Sequence, residues 1–347
     1  QVRQSNKYFS DKHNSKLTRT SILTTMAFIN LLIALAFVAF GQNIDFYYYT
    51  DKIGNDGNLL QDYSQPAQTM IKYGNFSDFT PYQEGATVED DSFFSIPEAG
   101  FADRKVSKRL TTEERACSTL DSMYQSKDYG WLGFVASALT GTDFKPSATW
   151  LIANGPNSWT IKSSEGSEPT TSQLQKTCGD PSLTLYSYII QKYGMVTADC
   201  IPNTVTIPTD LTKCTNGGAL DTKLKGYKEA FINIDGSDKL KEALITVGPV
   251  FLTEEDAIVI GWDQSHWIVA SQNGEGDYNS IRYSYSAFSE YDGKILVNTG
   301  SAVVCTAGKY PSVDDCDCAA GDTKCLSGPP DCTSIKKETP KEDAHAQ

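Results

Sequence analysis

The chain has 347 residues, a net charge of −13 and a pI near 4.7. That length suffices for one large domain or two smaller ones with a proper core. The acidic balance excludes nucleic acid as a partner, because such binding needs a cationic surface; a solvated acidic face accounts for the charge.

In chain order, residues 1–20 are polar and basic, with Arg3, Lys7, Lys12, Lys16 and Arg19 against Asp11. Residues 21–41 are apolar, uncharged and about one bilayer thick, which predicts a transmembrane helix with Asn30 as its one strongly polar member. Positive charge before it and acid after it predict an N-terminus on the cytoplasmic or matrix side. A cleaved signal peptide ending at Ala39-Phe40-Gly41 is the competing reading; a retained anchor is expected. The basic, acid-poor leader suits a signal anchor and a mitochondrial presequence equally well.

Residues 42–94 carry aromatics (Phe46, Tyr47, Tyr48, Tyr49) and turn residues without clear periodicity, and read as a stalk or packing segment. Asn75-Phe76-Ser77 makes Asn75 a glycosylation candidate. Residues 130–139, GWLGFVASAL, have the small and apolar composition of a closely packed buried helix. Residues 182–193 present one apolar helical face, followed by Gly194 at the C-cap position. Asp238 caps a helix whose stripe is Leu240, Ala243 and Leu244, and which runs into a strand at Val250. Two short apolar runs, 257–261 and 267–270, flank a polar turn at 263–265 and read as antiparallel strands of a buried sheet.

All nine cysteines follow residue 100: Cys117, Cys178, Cys200, Cys214, Cys305, Cys316, Cys318, Cys325 and Cys332. Placed beyond an apolar segment, they suit disulfides in an oxidising space, either lumenal or extracellular or the mitochondrial intermembrane space. The odd count leaves one free thiol or an intermolecular bridge. Zinc would need paired C-x-x-C elements, which the chain lacks. Residues 306–335 read as a Cys-rich extension and 336–347 as a mobile tail. Asp314, Asp315 and Asp317 match no calcium-loop spacing and read as an acidic loop, so no metal and no cofactor is expected.

Several segments of residues 95–305, in order, resemble papain-like cysteine peptidases. Residues 96–104, IPEAGFADR, resemble the L-P-x-x-F-D-W-R opening of the mature domain. GWLGFVASAL resembles C-W-A-F-S-A-x-x-A-L, the central helix whose N-terminus holds the catalytic Cys. Thr171-Ser172-Gln173-Leu174 followed by Cys178 resembles S-E-Q-x-L-x-D-C, and residues 195–202 resemble G-I-x-x-E-x-x-Y-P-Y. Residues 238–250 resemble x-L-x-x-A-L-x-x-x-G-P-V. The strand pair at 257–270 is similar to the hairpin that carries the catalytic His and its orienting Asn, with 277–282 loosely matching G-Y-x-R-I.

The resemblance implies an α+β, two-lobed papain-like fold, with a helical lobe and a β-barrel-like lobe, behind one N-terminal transmembrane helix. It puts Trp131 at the nucleophile position (Leu132 or Leu120 in other registers), Asp256 at the base, Ser271 at the Asn, and Gln125 at the oxyanion Gln. No register supplies a thiol, and a carboxylate with a pKa near 4 is a poor base for a thiol near 8.5. By analogy with the family bridge, Cys178 is expected to pair with Cys214, and Cys200 with Cys117.

The expectation is therefore a membrane-anchored pseudopeptidase, not an enzyme, with a structural or binding role. Its partners are the membrane, through residues 21–41, and other subunits of a membrane complex. Two alternatives stay open: an active thiol hydrolase using Cys117 and His266, and a receptor that binds peptides without cutting them. Nucleophile-elbow, H-E-x-x-H, phosphate-loop and dinucleotide motifs are all missing.

Overall fold

The computed structural model describes residues 44–50, 52–53, 57–63, 71–163, 168–179, 186–288, 291–300, 303–304 and 316–317. The expected membrane span at 21–41, the basic segment before it, the Cys-rich extension and the tail lie outside these, as do Cys305, Cys318, Cys325 and Cys332; only the backbone is described at Cys316. Among the described residues no helix is long and apolar enough to cross a membrane.

The chain opens with β1 (Phe46–Tyr49), β2 (Lys52–Ile53), β3 (Asn58–Asp62), β4 (Ile71–Gly74) and β5 (Phe93–Phe94). Helices follow as α1 (Thr112–Arg115), α2 (Ser118–Gln125), α3 (Asp128–Thr140) and α4 (Ala148–Ala153). Next come β6 (Ser158–Lys162), β7 (Thr170–Gln173), α5 (Tyr186–Tyr193), β8 (Tyr227–Ile234) and α6 (Ser237–Val247). The last long strands are β9 (Val250–Leu252), β10 (Ala257–Trp262), β11 (His266–Gln272), β12 (Tyr278–Ser284) and β13 (Tyr291–Asn298), with short β14 (Val303–Val304) and β15 (Cys316–Asp317) after them.

A nine-stranded antiparallel sheet runs in the order β12-β11-β10-β9-β13-β8-β1-β4, with β5 added on β10. Among the described residues no pairing closes β12 onto β4, so the expected barrel-like lobe is an open sheet. A second sheet, β2-β3-β6-β7, joins β3 to β6 in parallel. The described strands of the segment expected as a stalk or packing segment, residues 42–94, pair with later parts of the chain. Phe46 pairs with Ile232 in the main sheet, and Asn58–Asp62 lie alongside Ser158–Lys162 in the second. The chain just before residue 96 joins the main sheet. Phe93 and Phe94 pair with β10, and the Ser95 hydroxyl donates to the Ile260 carbonyl at 2.6 Å.

The reason β10 and β11 read as unbroken apolar runs is that both faces of the sheet are covered. Ile258, Ile260, Ile268 and Ala270 enter one core, which they share with α3 and α5. Ala257, Val259, Trp262, Trp267 and Val269 enter a second core, against α6. The alternation is the two-residue period of a strand. A register shift between Val259 and Gly261 keeps Trp262 in the second core. Each fully buried aliphatic side chain here contributes about 1.5–3 kcal/mol.

Helix α3 is buried at every position from Tyr129 to Ser137. That demands close approach. A Cβ at Gly133 would meet Val106 at 2.3 Å, and one at Gly130 would meet the Tyr278 hydroxyl at 2.2 Å. The Trp131 indole N–H donates to the Pro249 carbonyl at 3.0 Å, tying α3 to the start of β9.

Two disulfides staple the helical side: Cys117–Cys178 and Cys200–Cys214, with sequence separations of 61 and 14. This corrects the expected pairings of Cys178 with Cys214 and of Cys200 with Cys117. Four cysteines allow three connectivities, and sequence spacing does not choose among them. A non-reduced peptide map of the protein should yield the Cys117–Cys178 and Cys200–Cys214 cross-links; Cys178–Cys214 or Cys117–Cys200 peptides would contradict this topology.

Candidate functional site

The α3 N-terminus is where the chain gathers its charges. Helix α2 ends at Gln125, and two residues later Lys127 sits as the α3 N-cap with φ +64, in the left-handed region. Facing it, the turn from β9 to β10 ends at Asp256, also left-handed at φ +52. Both are non-glycine residues, for which this conformation costs roughly 1–2 kcal/mol. Their side chains meet: Lys127 Nζ lies 3.2 Å from Asp256 Oδ2. The lysine side chain is 19% exposed and the aspartate 55%, so the pair itself contributes little to stability.

Beneath it lies a more buried set. Asp128, the first residue of α3, accepts from the Ser126 hydroxyl at 2.8 Å, from the Tyr186 hydroxyl at 3.2 Å and from Lys294 Nζ at 3.1 Å. A carboxylate at this end of a helix is favoured by the helix dipole. Glu229 on β8 takes a short hydrogen bond from the same Tyr186 hydroxyl and lies 3.9 Å from Lys294 Nζ. Glu229 stands opposite Leu296 and Lys294 opposite Phe231, so they are diagonal neighbours across the strands. Burial pushes the Lys294 ammonium down, but the Glu229 and Asp128 carboxylates outweigh it and hold the group above its ordinary value. Burial, and then the charges of Glu229 and Asp128, push the Tyr186 phenol well up. Tyr278, packed on Gly130, keeps its hydroxyl buried without a hydrogen-bond partner among the described residues.

The sequence-derived positions fall unevenly around this cluster. Asp256 belongs to it. Trp131 does not: it is the fourth residue of α3 and fully buried, while Lys127 and Asp128 stand at the helix N-terminus. Gln125 is exposed at the end of α2. Ser271 is on β11 opposite Asn279 and makes no hydrogen bond to Asp256. His266 sits at the hairpin turn, its Nδ1 2.8 Å from the Ser265 hydroxyl and 3.3 Å from Asp263. Cys117 is joined to Cys178 in a disulfide, so its sulfur is not a free thiol in this structure. Asn75 lies half-buried between β4 and a single 3-10 turn, its backbone N–H donating to Asp78.

Sequence reasoning missed Lys127, Asp128, Tyr186, Glu229 and Lys294. Only Asp128 left a local signal, an acid directly before an apolar helical run. A second buried polar network was missed as well. Asn203 bonds the Tyr129 hydroxyl at 3.0 Å and the Ala148 N–H at 2.8 Å, beside a Glu114–Lys145 ion pair of 2.6 Å. Among the described residues no cluster of three or more His, Cys, Asp or Glu side chains is arranged to hold a metal ion.

No protein-family profile matches the chain, and no curated protein does. Among solved structures, it is similar to the digestive procathepsin L 3 of Tenebrio molitor larval midgut. The two share 14% identity over 62% of this chain and 72% of the other, with a TM-score of 0.32. A likeness at that level says nothing about activity.

Lys294 is the cation that balances two buried carboxylates, so Lys294→Met should cost about 3 kcal/mol at neutral pH. Because its value is raised on folding, the contribution is fully present below the unfolded lysine value of about 10.4 and is lost as pH rises beyond it. Urea unfolding of both proteins at several pH values checks this: the gap should hold from neutral pH to about 9 and close above about 10.4.

Proposed function

We propose that the chain is a papain-like pseudopeptidase, tethered to a membrane by residues 21–41, that serves a membrane assembly as a structural or binding subunit. The observation that supports this reading is the Lys127–Asp256 ion pair at the N-terminus of α3. In the family this corner holds a thiol facing an imidazole, and the chemistry needs a nucleophile with a lone pair and a base matched to it. An ammonium bound to a carboxylate offers neither. Its neighbour Asp128 is engaged by Ser126, Tyr186 and Lys294. The two disulfides point to an oxidising compartment for the folded domain.

A corner that has traded reactive groups for ion pairs keeps its shape and gives up turnover, which leaves contacts as the role. The test pairs chemistry with association. An epoxide probe for thiol peptidases should leave the purified protein unmodified. Gentle solubilisation from its native membranes should retain it in a larger complex of constant composition. Stoichiometric labelling of a cysteine with peptide hydrolysis, or a protein that comes away alone, would defeat this reading.

A further inference from the structure

A pocket of about 490 Å³ opens on the helical side, between the segment before Cys178 and the loop that follows Pro202. Its wall is largely apolar, with Ala153, Val205, Ile207, Pro208 and Leu211 beside Thr177 and Thr209. Ile207 and Leu211 are themselves packed on the main core, so the wall is anchored. The volume falls inside the range of about 300–1,000 Å³ usual for small-molecule sites.

Both sides of the pocket are stapled. Residues 205–211 lie entirely within the loop closed by Cys200–Cys214, and Lys176 and Thr177 directly precede Cys178, which is bridged to Cys117. A surface groove whose walls are tied in this way loses less freedom when a ligand binds.

One charged side chain lines it, Lys176. Its backbone is in the left-handed region at φ +53. Burial pulls its ammonium below the ordinary lysine value, and no anion offsets that. Asp210, between the lining residues Thr209 and Leu211, is spent on the Thr212 N–H and hydroxyl at 2.9 and 2.6 Å. Among the described residues Lys176 has no ion-pair partner, in a chain of net charge −13. A small hydrated anion such as phosphate would want several donors and no oily wall.

We propose that this pocket binds a free monocarboxylic acid with a short aliphatic body, its carboxylate on Lys176 and its chain against Val205, Ile207 and Leu211. The test uses octanoate as the probe on the full chain, with disulfides intact, and reads the rate of reductive methylation of each lysine by peptide mass spectrometry. Octanoate should slow modification of Lys176 at least fivefold, saturably, and leave exposed Lys213 unchanged. 1-Octanol, with the same chain and no charge, should not protect. Val205→Asp places an anion at a half-exposed rim position and should weaken protection at least tenfold, whereas Val205→Asn should leave it near the parent value. The proposal fails if octanol protects as well as octanoate, if Lys213 is protected equally, if no protection appears up to the solubility limit, or if the Asp and Asn variants behave alike.

Discussion

A helix that is buried on every side still has a polar beginning. The first N–H groups of α3 and the carboxylate of Asp128 must be satisfied within the molecule, and this requirement organises the polar interior. Lys294 reaches Asp128 from β13, Tyr186 reaches it from α5, and Glu229 on β8 shares both partners. These contacts bring the helical side and the main sheet to one point. The Lys127–Asp256 pair closes over that point from above, at the price of two left-handed residues. Strain of that kind persists only where the surroundings impose it. Here the imposing elements are the two-residue break between α2 and α3 and the tight turn from β9 into β10.

The sheet owes its integrity to having two cores. Strands β9, β10, β11 and β13 each send alternate residues to opposite faces: Phe251 and Leu296 to the α3 side, Val250, Leu252, Ile295 and Val297 to the α6 side. Such strands carry no polar face to betray their orientation, so their register is held by what packs against them. The bulge at Val259–Gly261 and the close pass of Phe93 over Gly261, where a Cβ would lie 2.1 Å from the Phe93 carbonyl, are part of that arrangement.

The legible parts were those with strong local pattern. The β10–β11 hairpin, helix α3 and the passage from α6 into β9 could each be read from apolar spacing, although the N-cap of α6 is Gly236 and not the expected Asp238. Strands β1, β3 and β4 could not, because β1 is a run of aromatics whose partners lie far along the chain. The site was legible only at Asp256. The start of α3 at Asp128, three residues before Trp131, was not legible because a helix buried all round looks apolar in every register, so small residues alone do not fix which position begins it. Glu229 and Lys294 are separated by 65 positions in the chain (294 − 229) and meet only through strand register, which no local motif encodes. The disulfides were misjoined for a related reason: the four cysteines are evident, but their pairing depends on how α2 and the loop after Pro202 fold back.

The meeting of positions 127 and 256 at the head of α3 is the contact on which the proposed loss of thiol chemistry rests. Its most direct test is the double variant Lys127→Cys with Asp256→His, followed by thiolate absorbance against pH and compared with the parent protein. A helix N-terminus and a facing imidazolium both stabilise a thiolate, so the introduced thiol should titrate below about pH 7, well under the usual value near 8.5. A new thiol that titrates near 8.5, indifferent to the histidine, would mean that the two positions do not meet.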